Sequence, residues 1–274
     1  MPELPDLEVI KDVLVRRLVG RRIAEVVVLR PLVVRVLDPD ATPESFLVGR
    51  TVTEVARCAK FLRFALDDGG WMAINAMLAG RLRYTPAAQR ARVRDYVRLR
   101  FDDGATLSYH DAKGMGKVYL TRDLDAVPAY RDTVPDALSS DLTAEAFVER
   151  LRPFRGEIKG ILTRGEAVGG IGNAYGDEIL FEAGIYPFRK RSTLSREEQL
   201  RLYDAMRAVL VWAIEVLRER VGDRIDVEVR DFLRVHNKAG HPCPRCGRPI
   251  SEITVAKRAT SFCRSCQPGS LIRN

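Results

Sequence analysis

Apolar and polar residues repeat along this chain in two rhythms, and the rhythm changes near residue 140. Residues 5–19 open on a helical period: Leu7, Ile10, Leu14 and Leu18 recur at spacings of three and four, and Gly20 follows as a stop. Short runs of strand length come next, over 24–29, 32–37, 51–57, 61–66, 71–75, 96–101, 106–109 and 118–120. Asp67-Asp68-Gly69-Gly70 and Asp102-Asp103-Gly104 punctuate them as turns. Many short strands between such turns predict a β-sandwich or barrel. Thr133-Val134-Pro135-Asp136 reads as the start of a linker. From Asp141 the period is helical. Helices are expected over Thr143–Leu151, Gly156–Thr163 and Tyr175–Ala183, the last closed by Gly184. Ser195-Arg196-Glu197-Glu198 is a capping box opening a long helix to about Arg220. No tandem repeat or low-complexity tract interrupts the pattern.

Composition narrows the class. The 274 residues, 46% hydrophobic and 30% charged, suffice for two domains and a core. No apolar run approaches the ~20 residues a membrane span needs. Charge begins at Glu3, so no secretory leader is expected, and the expected location is the cytoplasm. The net charge is +8. Its placement says more than its size: residues 234–274 hold eight Lys/Arg against Glu252 alone, so +7 of the +8 lies there. A concentrated positive surface suits a polyanionic partner.

The C-terminal segment also carries Cys243-Pro-Arg-Cys246, sixteen intervening residues, and Cys263-Arg-Ser-Cys266. Two facing Cys-x2-Cys knuckles supply four thiolates for one tetrahedral Zn²⁺ with no open position, so the metal is expected to be structural. His241 adjoins the first knuckle and reads as a bystander. Cys58 is left over, and an odd, clustered count argues for a reducing compartment.

The opening Met1-Pro2-Glu3-Leu4-Pro5-Asp6-Leu7-Glu8 suggests chemistry of a different kind. Once Met1 is removed, Pro2 presents a secondary amine, which can attack a carbonyl carbon and form an iminium. An α-amino group has a reference pKa near 8, so a useful fraction is neutral at about pH 7. Glu3 places a proton-carrying carboxyl beside it. The plainer reading is that Pro2 and Pro5 only stiffen a terminus ahead of a helix.

These residues resemble the Pro-Glu-Leu-Pro-Glu-Val-Glu opening of the formamidopyrimidine-DNA glycosylase / endonuclease VIII family, whose N-terminal proline is its nucleophile. Asp6 stands where that family usually has Glu. The resemblance extends over nearly the whole chain. Gly170-Ile171-Gly172-Asn173-Ala174-Tyr175 is similar to the family's helix–two-turn–helix signature. It implies that Asn173 and Lys159 hold backbone phosphates, although the same stretch alone reads as a simple helix cap. Lys257-Arg258-Ala259-Thr260-Ser261-Phe262-Cys263 resembles the family's zinc hairpin, implying that Arg258 grips phosphates and assists strand cleavage. Ala59-Lys60-Phe61-Leu62 resembles the segment whose lysine assists elimination. Without the resemblance, Arg258 and Lys60 would be surface cations.

The residues expected to wedge into the DNA depart from the family. Leu78 falls where the family commonly has Met, Lys113 where it has Arg, and Met115 where it has Phe. Leu and Met remain apolar wedges, whereas Lys lacks the planar fork of Arg. Arg94 falls where a phosphate-binding His is common. Arg230-Asp231-Phe232-Leu233 is present, but only nine residues, Arg234–Pro242, separate it from Cys243. That leaves little chain for a lid over an extruded base.

The expected fold is therefore α+β. It has an N-terminal β-sandwich with flanking helices over 1–132, a linker over 133–141, a helix–two-turn–helix domain over 142–235 and a zinc ribbon over 236–274. The expected function is that of a monomeric bifunctional DNA glycosylase/AP lyase of base-excision repair, acting at the nucleoid on double-stranded DNA with oxidised bases or abasic sites. Pro2, Glu3, Lys60 and Arg258 carry the chemistry. The rival reading is a non-catalytic reader of damaged DNA on the same scaffold.

Overall fold

A computed structural model describes residues 2–86, 95–130, 134–255 and 258–269. The chain forms two compact units. One takes Met1–Thr133 with Ile214–Val229, the other Val134–Ala213 with Arg230–Asn274.

The first unit begins with helix α1, Leu4–Leu18. Leu7, Ile10, Leu14 and Leu18 are all buried, as their spacing requires, and the helix packs on strand β3, Val52–Cys58. Pro5 sits in the first turn, where its missing N–H has no intrahelical partner to lose. Two sheets follow. The five-stranded sheet has the order β2 (Val34–Val36), β9 (Lys117–Thr121), β5 (Trp71–Asn75), β4 (Phe61–Leu66), β3, with β2 and β9 parallel and the rest antiparallel. The four-stranded sheet runs β1 (Ile23–Val28), β7 (Asp95–Phe101), β8 (Thr106–Asp111), β6 (Gly80–Thr85), antiparallel throughout. Met72, Ile74 and Val118 from one sheet meet Leu82, Val97 and Leu107 from the other, which makes the sandwich core.

One strand expectation needs correction, and two elements went unread. The run over 32–37 is only partly strand, because Pro31 opens a 3-10 turn over Pro31–Val33 before β2. Helix α2, Pro43–Leu47, lacks the length for a readable period. Strand β6 was hidden by Arg81 and Arg83 at its alternate positions. Arg83 is nonetheless buried, with its guanidinium on Asp95 at 3.1 Å.

The second unit holds α3 (Ala144–Leu151), α4 (Ile158–Arg164) and α5 (Asn173–Ala183). Helix α6, Arg196–Val221, enters through the expected capping box: Ser195 N–H donates to Glu198 Oε2 at 2.8 Å, and Glu198 N–H to Ser195 Oγ at 3.2 Å. α4 and α5 lie close together because residue 176 is glycine. A Cβ there would fall 2.8 Å from the Thr163 methyl. Asn173 does not cap α5. Gly172 is the N-cap, and Asn173, the first helical residue, sends its side chain elsewhere. An antiparallel hairpin of β10 (Ser251–Val255) and β11 (Arg258–Phe262) leads into the Cys263–Cys266 knuckle.

Candidate active site and nucleic-acid interface

In the first unit, Glu3 is the N-cap residue of α1 and is buried. Its N–H donates to Asp6 Oδ2 at 2.8 Å, so the shorter Asp6 still reaches the start of the helix. Pro2, also buried, lines a small cleft with Asp6, Ile10, Arg81, Ile225, Val227 and Glu228. Arg81 and Glu228 are ion-paired across it. Sequence reasoning missed Arg81 and the 225–228 segment, because no local pattern ties residues that distant to residue 2.

Lys60 is half-buried in the two-residue turn between β3 and β4, where Cys58 faces Phe61. The preceding Ala59 has φ +49°, a left-handed conformation that costs a Cβ-bearing residue about 1–2 kcal/mol. A charged relay holds this turn. Arg57 donates through Nε to Glu8 Oε2 at 2.7 Å and through Nη1 to the Ala59 carbonyl at 3.2 Å, and Glu8 also pairs with Lys11. Burial alone would raise the Glu8 carboxyl, but Lys11 and Arg57 outweigh it and hold the group below its usual range.

Leu78 lies in the β5–β6 loop and Lys113 and Met115 in the β8–β9 loop, all three exposed (Leu78 45%, Met115 41%). Met77, just before Leu78, has φ +46°. The structure thus brings Pro2 together with Glu3 and Asp6, and sets Leu78, Lys113 and Met115 on adjoining loops, where a Cβ on Gly116 would approach Asn75 O to 2.9 Å. Arg94 lies outside the described residues.

In the second unit, Lys159 and Asp177 form a buried ion pair at 2.6 Å, with the lysine 7% and the aspartate 0% exposed. The ammonium also donates to Thr260 Oγ1 at 2.8 Å and the Ala259 carbonyl at 3.3 Å. Asn173 Nδ2 donates to that same carbonyl at 2.8 Å. Asp177 Oδ2 further meets His236 Nδ1 at 2.7 Å and Ser261 N–H at 3.2 Å. Lys159 and Asn173 therefore converge on the strand that begins with the exposed Arg258. Neighbouring Glu178 accepts the amides of Arg234, Val235 and His236; burial raises its carboxyl pKa against those three donors.

The four Sγ atoms of Cys243, Cys246, Cys263 and Cys266 lie within 4.8 Å of one another. Two of the pairs stand at 3.8 and 3.5 Å. Zinc–sulfur bonds of about 2.3 Å in a tetrahedron put sulfurs about 3.8 Å apart, so the donor set fits one structural Zn²⁺. The thiols cannot all ionise unaided. The Arg248 backbone amide lowers Cys246 to about 7, while burial and the other sulfurs push Cys266 up to about 12. A cation resolves that conflict by releasing the remaining protons. His241 is exposed and outside the cluster. Cys243, Cys263 and Ile250 pack on Phe181 of α5, which fuses the ribbon to the helices.

Comparison with known proteins gives three consecutive matches. Residues 1–118 match the formamidopyrimidine-DNA glycosylase N-terminal domain, 134–224 the H2TH domain of the same enzymes, and 240–269 a zinc finger found in them and in isoleucyl-tRNA synthetases. The chain is 36% identical to formamidopyrimidine-DNA glycosylase of Symbiobacterium thermophilum, over 98% of this chain and 90% of the relative. It is 35% identical to that of Moorella thermoacetica, over 92% and 94%. Among solved structures it is similar to the MutM (Fpg) protein of Thermus thermophilus (TM-score 0.85, 31% identity, 98% of this chain and 100% of that one). A complex of Lactococcus lactis Fpg with DNA containing an abasic site is also similar, with TM-score 0.87 and 28% identity over 97% and 100%.

Proposed function

This chain belongs to the formamidopyrimidine-DNA glycosylase family, and from that premise we propose that, as a base-excision-repair glycosylase and AP lyase, it works through Pro2. The observation that carries the proposal is Pro2 buried in a cleft beside the Glu3–Asp6 cap of α1.

The damaged nucleotide must leave the stack, because its sugar C1′ is otherwise out of reach. With Met1 removed, the Pro2 nitrogen attacks C1′, and the bond from C1′ to the base breaks. Glu3 supplies the proton to the ring oxygen as the sugar opens to an iminium. The iminium acidifies the C2′ hydrogens. Loss of one of them expels the 3′ phosphate and cuts the strand. Lys60 and Arg258 assist at the phosphates, and Leu78, Lys113 and Met115 fill the space the nucleotide leaves. Zinc, held by the four cysteines, supplies only the rigidity of the Arg258 hairpin.

For Lys159 a second assignment is favoured over direct phosphate contact. Its ammonium already meets Asp177, Thr260 and Ala259, so we assign it first to holding the hairpin. Asn173 shares that carbonyl and lies at the N-terminus of α5, where backbone amides suit phosphate. By function, residues 1–132 form the catalytic domain, 142–235 the DNA-binding helices and 236–274 the zinc hairpin. The expected setting is the bacterial cytoplasm, at the nucleoid. No described helix is long and apolar enough to cross a membrane.

Borohydride trapping on a duplex with an oxidised base tests the chemistry. The processed protein should leave a covalent adduct, whereas Pro2→Gly or a form retaining Met1 should not. Undiminished trapping in either form sinks the assignment, and no adduct from the parent protein would favour the non-catalytic reader.

A further inference from the structure

One buried side chain touches both loops that carry the candidate wedge. Tyr109 stands on β8, faces Leu82 on β6 and Val97 on β7, and is 2% exposed. Its ring belongs to the apolar space between the sheets. Its hydroxyl reaches beyond that space and ends between two glycines. A Cβ built on Gly80 would lie 2.3 Å from the phenolic oxygen, and one built on Gly116 1.8 Å from it. The two α-carbons close on the hydroxyl only because neither bears a side chain. Gly80 ends the loop of Leu78, and Gly116 ends the loop of Lys113 and Met115.

The same hydroxyl donates to Asp111 Oδ2 at 3.3 Å. Asp111 is buried and gathers the second loop: Oδ1 accepts Lys113 N–H at 2.8 Å, and Oδ2 accepts Gly116 N–H at 2.7 Å. It also faces Gly80 across the β6–β8 ladder. Burial first, and the Asp111 carboxylate second, raise the phenol far above its ordinary pKa, so the oxygen keeps its proton and stays a donor. Phenylalanine would fill the inter-sheet space equally well. The backbone of Ala76 and Asn75 also crowds the two glycines, but the phenolic oxygen is the nearest atom to each and alone makes the bond to Asp111.

We propose that Tyr109 is a positioning residue for eversion of the damaged nucleotide: its hydroxyl, seated between Gly80 and Gly116 and bonded to Asp111, fixes the Leu78 loop and the Lys113–Met115 loop relative to each other, so that both enter the duplex together. This rests on the assignment of Leu78, Lys113 and Met115 to the wedge. A wedge made of two loops fills one gap only if the loops keep their spacing, and one buried hydrogen-bonded centre serves that better than two mobile tips.

The test is Tyr109→Phe in the full-length, zinc-loaded protein, with three readouts. Single-turnover excision from a duplex requires eversion. Fluorescence of 2-aminopurine opposite the lesion reports entry of the wedge. Elimination at an abasic site in a single strand requires Pro2 chemistry but has no opposing base to displace. The variant should lose duplex excision on the order of tenfold, the worth of a hydrogen bond to a charged acceptor, with a weaker 2-aminopurine response and unchanged single-strand elimination. Unchanged duplex excision would overturn the proposal, as would an equal loss on both substrates, which marks general damage. Leu78→Ala separates the two layers. If it leaves duplex excision and the 2-aminopurine signal intact, the wedge assignment itself fails. If it impairs them while Tyr109→Phe does not, only the positioning role fails.

Discussion

Replacing Lys159 by alanine would strip a fully buried carboxylate of its cation. Asp177 has no exposed surface, and the Lys159 side chain is only 9% exposed. Removing one partner of a buried pair costs ~3–5 kcal/mol, because the other charge is left stranded. Asp177 would keep His236 Nδ1 and the Ser261 amide, which sets the expectation at the lower end, about 3 kcal/mol. Thr260 and the Ala259 carbonyl would lose a donor in the same step. A surface lysine that serves only to meet DNA gives a different answer, a change within about 0.5 kcal/mol in the DNA-free protein. Urea unfolding of the zinc-loaded, DNA-free variant, followed by tryptophan fluorescence, separates the two, with the exposed Arg258→Ala as reference. A loss below about 0.5 kcal/mol refutes the buried-pair reasoning. Binding should also weaken in Asp177→Asn, a residue that has no reason to touch phosphate, with no change in the salt slope.

Other outcomes follow from the same geometry. Cys263→Ser should release the metal and weaken duplex affinity while leaving the sandwich folded; full affinity in a metal-free protein contradicts a positioning role for the ribbon. The segment after Phe232 is tied down through the amides of Arg234, Val235 and His236 on Glu178, so an open pocket is expected. Ring-opened purines, oxidised pyrimidines, hydantoins and abasic sites should then outpace 8-oxoguanine in single-turnover assays, and 8-oxoguanine as the fastest base substrate would reverse that view. The depressed Glu8 carboxyl contributes stability that is present above its unfolded pKa and lost as pH falls through the lower folded value. Glu8→Gln should therefore lower the melting temperature at neutral pH and flatten its decline below about pH 4.5, and parallel curves for variant and parent would rule this out.

What could be read from the sequence was local. The Leu7–Leu18 period, the Ser195 capping box and the two Cys-x2-Cys knuckles each place cause and effect within a few residues, and each has its structural counterpart. What could not be read depends on distant pairings. Nothing near Arg57 announces Glu8, nothing near Pro2 announces Ile225–Glu228, and nothing near Lys159 announces Thr260. The misplaced cap at Asn173 is instructive. Residue type favoured it as a cap, but a tertiary acceptor, the Ala259 carbonyl, took its side chain and left the helix to begin on Gly172.

The left-handed torsions of Ala59 and Met77 have a consequence for anyone breeding a sturdier form of this protein. Ala59 and Met77 each stand immediately before a side chain assigned to the work, Lys60 and Leu78. Selection for heat resistance alone should reach glycine at both positions early, since glycine accepts these torsions without a steric penalty. The same glycines would widen the range of angles over which the ammonium and the wedge wander. A library scored only on survival would therefore enrich variants that endure longer and aim less well, and the two traits should separate first at residues 59 and 77.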